Sequence, residues 1–219
     1  MATKKLRVVQ WATGTVGKSA MRAVIGHPGL ELVGVKVYSD AKVGTDAGDI
    51  CGLAKTGITA VRDIEQVLSV KPDCVVYMPE STDFDDVCRI LASGANIVST
   101  RADFFNPSRM DQAVRERVEA ACRAGQSSIH CSGSSPGFIT EALPIVLLSL
   151  QRKLGLLTIE EFANCIDGCS EEMLLGIMGF GESLEDFAKR SHADRDVVFE
   201  HSLAVVADAI GMPIERFEG

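Results

Sequence analysis

The stretch QWATGTVGKS at positions 10–19 decides the fold, because it admits two incompatible readings. From Ala12 it fits a loosened Walker A loop, in which a lysine serves the phosphates of a nucleoside triphosphate alongside Mg²⁺. It also fits a dinucleotide fingerprint, G-x-G-x-x-G, with Ala12 in place of the first glycine and Gly14 and Gly17 as the other two. The Walker reading needs an acidic residue at the end of a neighbouring buried strand to hold the metal. The neighbouring apolar runs end in VVYMP (75–79) and IVST (97–100), and Glu80 follows a proline that has already turned the chain. The dinucleotide reading needs a strand directly before the loop, a helix directly after it, and a second strand whose end meets the adenosine ribose about twenty residues on. Residues 6–11, 16–25 and 30–38 supply these in order. We therefore read Ala12, Thr13, Gly14, Thr15, Val16 and Gly17 as a cofactor-binding loop. Gly14 lets the backbone approach a pyrophosphate, Gly17 lets the helix pack on the sheet, and the helix N-terminus offers free amides to the anion. Lys18 becomes a solvated helix residue.

Working outward, apolar runs at 73–78, 96–100 and 127–131 alternate with helix-like segments at 83–93 and 107–124. A shorter unit, 59–61 followed by 63–70, adds another strand and helix, and 43–57 with its four glycines reads as a loop. The punctuation agrees: Gly26 to Gly29, Gly94 and Gly125 stand where helices must stop. The alternation predicts an α/β fold, a Rossmann doubly wound parallel sheet covered on both faces over residues 1–135. Residues 136–219 are expected to form a second, partial α/β domain. Helices at 137–150, 183–190 and 194–210 accompany a single strand at 156–165, and one strand alone cannot satisfy its own edges.

Composition narrows the function classes. The chain has 219 residues, 46% hydrophobic, and a net charge of −8 without a basic stripe, so nucleic acid is excluded as a partner. The apolar run 143–150 is too short to span a bilayer, and the N-terminus lacks a secretory apolar region, so no membrane role and a cytoplasmic location are expected. Seven scattered cysteines without a C-x-x-C pair are expected to be reduced structural thiols rather than metal ligands.

The end of the second strand, VYSDAK at 37–42, bears on NADP or NAD. Ser39 and Lys42 suit a 2′-phosphate, whereas Asp40 suits the ribose diol. Met78, Pro79 and Thr100, at the ends of two neighbouring runs, add to the cofactor-binding set. His130, alone at its strand end, reads as structural.

Several segments together resemble the dihydrodipicolinate reductase N-terminal group, and within it the NAD(P)-dependent amine dehydrogenases related to 2,4-diaminopentanoate dehydrogenase. They are RVVQWATGTVGKSAMRAVIGHPGLELVGV (7–35), VGTDAGDICGL (43–53), DCVVYMP (73–79), GANIVST (94–100), SGSSPGFITEALP (132–144) and MGFG (178–181). The resemblance implies an oxidoreductase that transfers hydride between a nicotinamide and a small imine or ketone/amine substrate, working as a homodimer, with residues 136–219 as a partial α/β substrate and dimerisation domain that in relatives runs further at the C-terminus. The paired-histidine motif of true dihydrodipicolinate reductases is absent between Thr140 and Met173. Where the amine dehydrogenases carry paired glutamates after the fifth strand, this chain has Ala102 and Asp103. Asp103 is thus either the catalytic acid/base at a longer reach, or a solvated or helix-capping carboxylate. Phe104 and Phe105 read as packing residues. The resemblance also places the SSPGF turn, where relatives have a G-x-N-P-G-F-like turn, beside the nicotinamide, with Ser135 (in place of asparagine) and Pro136 as cofactor-binding residues and Phe138 either walling the substrate pocket or in the core; the glycines of MGFG suit a lid or an interface turn. A rival reading keeps the loop but makes the protein a non-catalytic NAD(P)-binding sensor or scaffold.

Overall fold

The structure, a computed structural model, describes residues 4–166, 168–169, 171–189 and 193–218. They fall into two compact units, one ending at Ser132 and the other beginning at Gly133.

In the first unit, strands β1 (Leu6–Trp11), β2 (Leu30–Lys36), β3 (Ala60–Val61), β4 (Cys74–Tyr77), β5 (Asn96–Ser99) and β6 (Ile129–Cys131) alternate with helices α1 (Thr15–Gly26), α2 (Ala47–Cys51), α3 (Ile64–Ser69), α4 (Phe84–Ala92) and α5 (Gln112–Gly125). All five strand pairings are parallel, in the order β3-β2-β1-β4-β5-β6. This is the Rossmann doubly wound sheet. Its winding reverses between β1 and β4, and at that point the carboxyl ends of the strands open a crevice.

Alternation along β1 feeds both faces. Val9 and Trp11 join Val75, Tyr77, Val87, Ile90 and Ile97 in one core, while Val8 joins Met21, Val24, Leu32 and Val35 in the other. Met21, Ile90 and Leu91 are fully buried, each contributing roughly 1.5–3 kcal/mol relative to exposure.

Several expectations need correction. The glycine-rich stretch 43–57 is not all loop: Asp46 accepts the Gly48 amide and starts α2, which ends at left-handed Gly52. The helix expected over 107–124 is split into a 3₁₀ turn, Pro107–Arg109, and α5, because Asp111 caps a fresh start. Gly94 does take the left-handed conformation (φ +94°), but after α5 that residue is Gln126 (φ +52°). Gly125 is needed for contact instead, since a Cβ there would lie 1.9 Å from the Leu91 carbonyl oxygen of α4.

In the second unit the chain enters through a cis Ser135–Pro136 bond, and Ser135, Pro136 and Gly137 are non-helical. Helical residues then run from Phe138 into α6 (Leu143–Leu148). A wide helical turn, Glu172–Ile177, precedes α7 (Leu184–Lys189) and α8 (Ala193–Ile210), and the expected helix end at Arg190 lies outside the described residues. The strand expected over 156–165 does not form. With no partner strand among the described residues of this unit, its amides have no ladder to join, and Leu156 and Phe162 stand exposed.

Candidate functional site

The loop between β1 and α1 is held from below. Gln10, fully buried, donates its Nε2–H to the Ala12 carbonyl at 2.9 Å, and the Ala12 amide donates to the Lys36 carbonyl at 2.9 Å. These bonds hold Ala12 at φ +69°, a left-handed conformation that costs a residue with a Cβ about 1–2 kcal/mol. The tight turn that the first glycine ordinarily makes is therefore present with alanine. A Cβ on Gly17 would come 2.3 Å from the Ala12 oxygen, so the close approach of α1 to the loop requires glycine. Gly14 differs: a Cβ there meets nothing within 4 Å, so open space lies over its backbone.

The helix starts sharpen the contrast. Asp46, Asp63, Asp83 and Asp111 each cap α2, α3, α4 and α5 with a side-chain oxygen, whereas α1 begins at Gly14 with no side-chain cap and no acidic residue in its first turn. The N-terminus of α1 is left to attract an anion with its free amides and partial positive charge. Thr13 is buried; its carbonyl and hydroxyl oxygens accept from Lys42 Nζ at 3.0 and 3.2 Å. Lys42 thus stands beside the phosphate loop. Thr15 and Val16 are exposed in the first turn of α1.

At the exit of β2, Ser39 caps a 3₁₀ turn, Asp40–Lys42, without a side-chain hydrogen bond. Asp40 pairs with Arg62, which follows β3. Lys36, 6% exposed, lies with its ammonium 3.3 Å from the Tyr38 ring centroid and 4.9 Å from that of Trp11, while Trp11 Nε1–H donates to the Tyr38 hydroxyl at 3.0 Å. Desolvation pushes the Lys36 pKa down, partly opposed by Asp86, and pushes that of Tyr38 up.

The exits of β4 and β5 gather a second cluster. The Met78 amide donates to the Trp11 carbonyl at 3.0 Å, which places Met78 and Pro79 directly beyond β1. Ser99 Oγ donates to the Tyr77 carbonyl at 2.8 Å and accepts from the Arg101 amide at 3.1 Å, fixing the turn through Thr100. Asp103 Oδ2 accepts from Thr82 Oγ1 at 2.7 Å and from Arg101 Nε at 3.2 Å, and Arg101 Nη1 reaches the Glu80 carbonyl at 2.6 Å. Asp103 is not a helix cap; Asn106 and Asp111 hold those positions. Phe104 is core, edge-on to Phe84 at 5.9 Å, and Phe105 is half-buried. Sequence reasoning missed Arg101, whose only signal was a cation two residues before Asp103.

In the second unit, Gly137 takes φ +135° and Phe138 is 56% exposed, so Phe138 is not core. Glu141, also missed, is buried and folds back to accept from the Gly137 amide and the Thr140 hydroxyl. Gly179 and Gly181 both have positive φ, and the Met178 and Phe180 amides close the preceding turn on the Met173 and Leu174 carbonyls. His130 is exposed on β6. No group of three or more His, Cys, Asp or Glu side chains converges among the described residues, and no helix among them is long and apolar enough to cross a membrane.

Residues 8–101 match the family described as dihydrodipicolinate reductase, N-terminus. An amine dehydrogenase of Streptomyces virginiae is 32% identical over 188 residues, which cover 82% of this chain and 52% of that protein. The solved amine dehydrogenase from Mycobacterium smegmatis superposes with a TM-score of 0.76 at 17% identity, over 98% of this chain and 64% of its own. The structure of GenD2 from gentamicin A biosynthesis in complex with NAD gives 0.53 at 16% identity, over 69% and 41% of the two chains. The chain thus spans about half the length of the curated relative. Over residues 8–101 the chain is thus similar to the dihydrodipicolinate reductase N-terminal family, and along most of its length to an amine dehydrogenase.

Proposed function

We propose that this chain is an NAD(P)-dependent oxidoreductase of the amine dehydrogenase kind, acting on a carbon–nitrogen bond in a small amine/ketone or imine substrate. The observation that carries the reading is the uncapped start of α1 at Gly14, with open space above it, at the point where the winding of the sheet reverses. The complex of GenD2 with NAD supports a dinucleotide in this fold. Residues 1–135 hold the cofactor, and residues 136–219 contribute to the substrate pocket and to a homodimer.

When bound, the nicotinamide supplies or accepts the hydride. The chain itself binds, orients and moves a proton. Gly14 and the first amides of α1 hold the pyrophosphate, with Lys42 beside Thr13 adding positive charge at the same loop. Within the first unit, Met78, Pro79 and Thr100 are the contacts for the nicotinamide end; within the second, Ser135 and Pro136 are cofactor contacts and Phe138, an exposed apolar side chain, a substrate contact. Asp103 is the acid/base: its hydrogen bonds all fall on Oδ2, from Thr82 and Arg101, leaving Oδ1 to take or deliver a proton.

The rival sensor reading is favoured by the same network, because an aspartate held by an arginine beside Ala102 also suits a site that binds without turnover. One experiment separates the two. Titration with NADH and NADPH is followed by assay with ammonia and a panel of small ketones. Binding with turnover that Asp103→Asn reduces at least a hundredfold supports the enzyme. Binding without turnover supports the sensor, and no binding of either coenzyme rejects both.

A further inference from the structure

We infer that Glu141 is a positioning residue for the substrate: its carboxylate locks the turn at residues 135–138 and so fixes where the exposed Phe138 ring stands. This rests on the reading of Phe138 as a substrate contact given above. Two local costs meet in the turn. Gly137 takes φ +135° and ψ −85°, a conformation that glycine reaches without steric penalty and also leaves readily. Glu141 is 6% exposed, and its Oε1 is buried with no hydrogen-bond partner among the described residues. An acceptor left unmade inside a protein is destabilising, and departures of this kind gather where function needs one fixed geometry.

The other oxygen makes the lock. Glu141 Oε2 accepts from the Gly137 amide and from the Thr140 hydroxyl, and Thr140 Oγ1 accepts from the same amide at 3.2 Å. On the other side the Phe138 amide donates to the Gly133 carbonyl at 2.9 Å. Both amides of the Gly137–Phe138 step are therefore tied, one forward to Glu141 and one back to Gly133. The Phe138 side chain, itself exposed, leaves from a backbone held at both ends. Glu141 acts here as an acceptor rather than as a charge, because both donors fall on one oxygen. Glutamine keeps that oxygen. Leucine removes it and returns Gly137 to its conformational freedom.

The test uses Glu141→Leu and Glu141→Gln in the whole chain. In hydrogen exchange read by NMR, the Gly137 amide should open roughly tenfold faster in Glu141→Leu than in the unmodified chain or in Glu141→Gln. With reduced coenzyme, ammonia and the ketone of the panel above that is turned over fastest, Glu141→Leu should raise KM roughly tenfold and lower kcat by less than about threefold, whereas Glu141→Gln should bring KM back to within about threefold of the unmodified chain. Because the lock acts through the ring, Glu141→Leu should add less than about threefold to KM once Phe138 is replaced by alanine. If Glu141→Leu fails to fold, Thr140→Val, a milder change in the same lock, should raise KM by about threefold, and an unchanged KM there overturns the inference. So does a KM that Glu141→Gln fails to restore, one that Glu141→Leu raises equally with and without the Phe138 ring, or a Gly137 amide equally protected in all three chains. An unmodified chain that binds coenzyme but turns nothing over rejects the enzymatic reading and the positioning role with it, and the exchange result then tells separately whether the lock exists.

Discussion

The three small residues of the loop do three different jobs, and the structure separates them. Gly17 is required by contact with the Ala12 carbonyl, Gly14 by nothing within the protein, and Ala12 occupies a conformation that favours glycine. Gly17→Ala should therefore lower stability by about 3 kcal/mol, or roughly 6–12 °C in the thermal midpoint, since a methyl driven into a backbone oxygen cannot be relieved by a rotamer change. Gly14→Ala should leave the midpoint within about 1 °C yet weaken coenzyme binding at least tenfold, because the added methyl intrudes only on the ligand's approach. Thermal unfolding and calorimetry on the two variants check this crossed pattern, and a Gly14→Ala chain that binds normally would dissociate the loop from the cofactor. The packing role of Gly17 was legible from spacing alone. The Lys42 contact with Thr13 was not, because the direction of a long flexible side chain is set by tertiary neighbours that spacing does not encode. For the same reason Asp103 was picked out as a candidate while the arginine that holds it was missed.

At the level of elements, Asp46 shows how a stretch read as loop becomes ordered. Its carboxylate accepts from the Gly48, Thr56 and Gly57 amides at 2.7, 3.0 and 2.8 Å, starting α2 and closing the loop behind it. The Thr56 amide bond leads in holding the carboxyl below its ordinary range, helped by those of Gly48 and Gly57 and opposed by desolvation. A folded pKa below the unfolded one means stability that is present above the unfolded value, about 3.9, and is lost as pH falls through the folded one. Asp46→Asn should lower the midpoint by roughly 2–4 °C at neutral pH, and the difference from the unmodified chain should shrink below about pH 4. A midpoint difference that stays constant from pH 7 to pH 3 would contradict the assignment. The strands and helices of the first unit were readable because each apolar run has at least one parallel neighbour to pair with. The run 156–165 is also rich in apolar residues but has no neighbouring strand among the described residues of its unit, so its propensity alone predicted a strand that does not form.

For the whole molecule, burial divides the two units sharply. Both large cores lie in the sheet unit, where Trp11, Tyr77, Ile90 and Ile97 are at most 1% exposed. The second unit instead leaves Leu150, Leu156 and Phe162 more than 80% exposed, and apolar grooves of about 400 and 320 Å³ run among its described residues. One is lined by Leu203, Val206 and Ile210 of α8 and the other by Leu143 and Leu147 of α6. Protection from hydrogen exchange requires both a hydrogen bond and burial, so it should follow the same division. Amides of β1, β4 and β5 should open only with global unfolding of their unit, while those of 156–164, which lack ladder partners, should exchange within about tenfold of the unprotected rate. Exchange monitored by mass spectrometry on peptides from each unit reads this directly. Slow exchange over 156–164 would mean that the segment has found partners, and the strand expected from its sequence would then be real in solution.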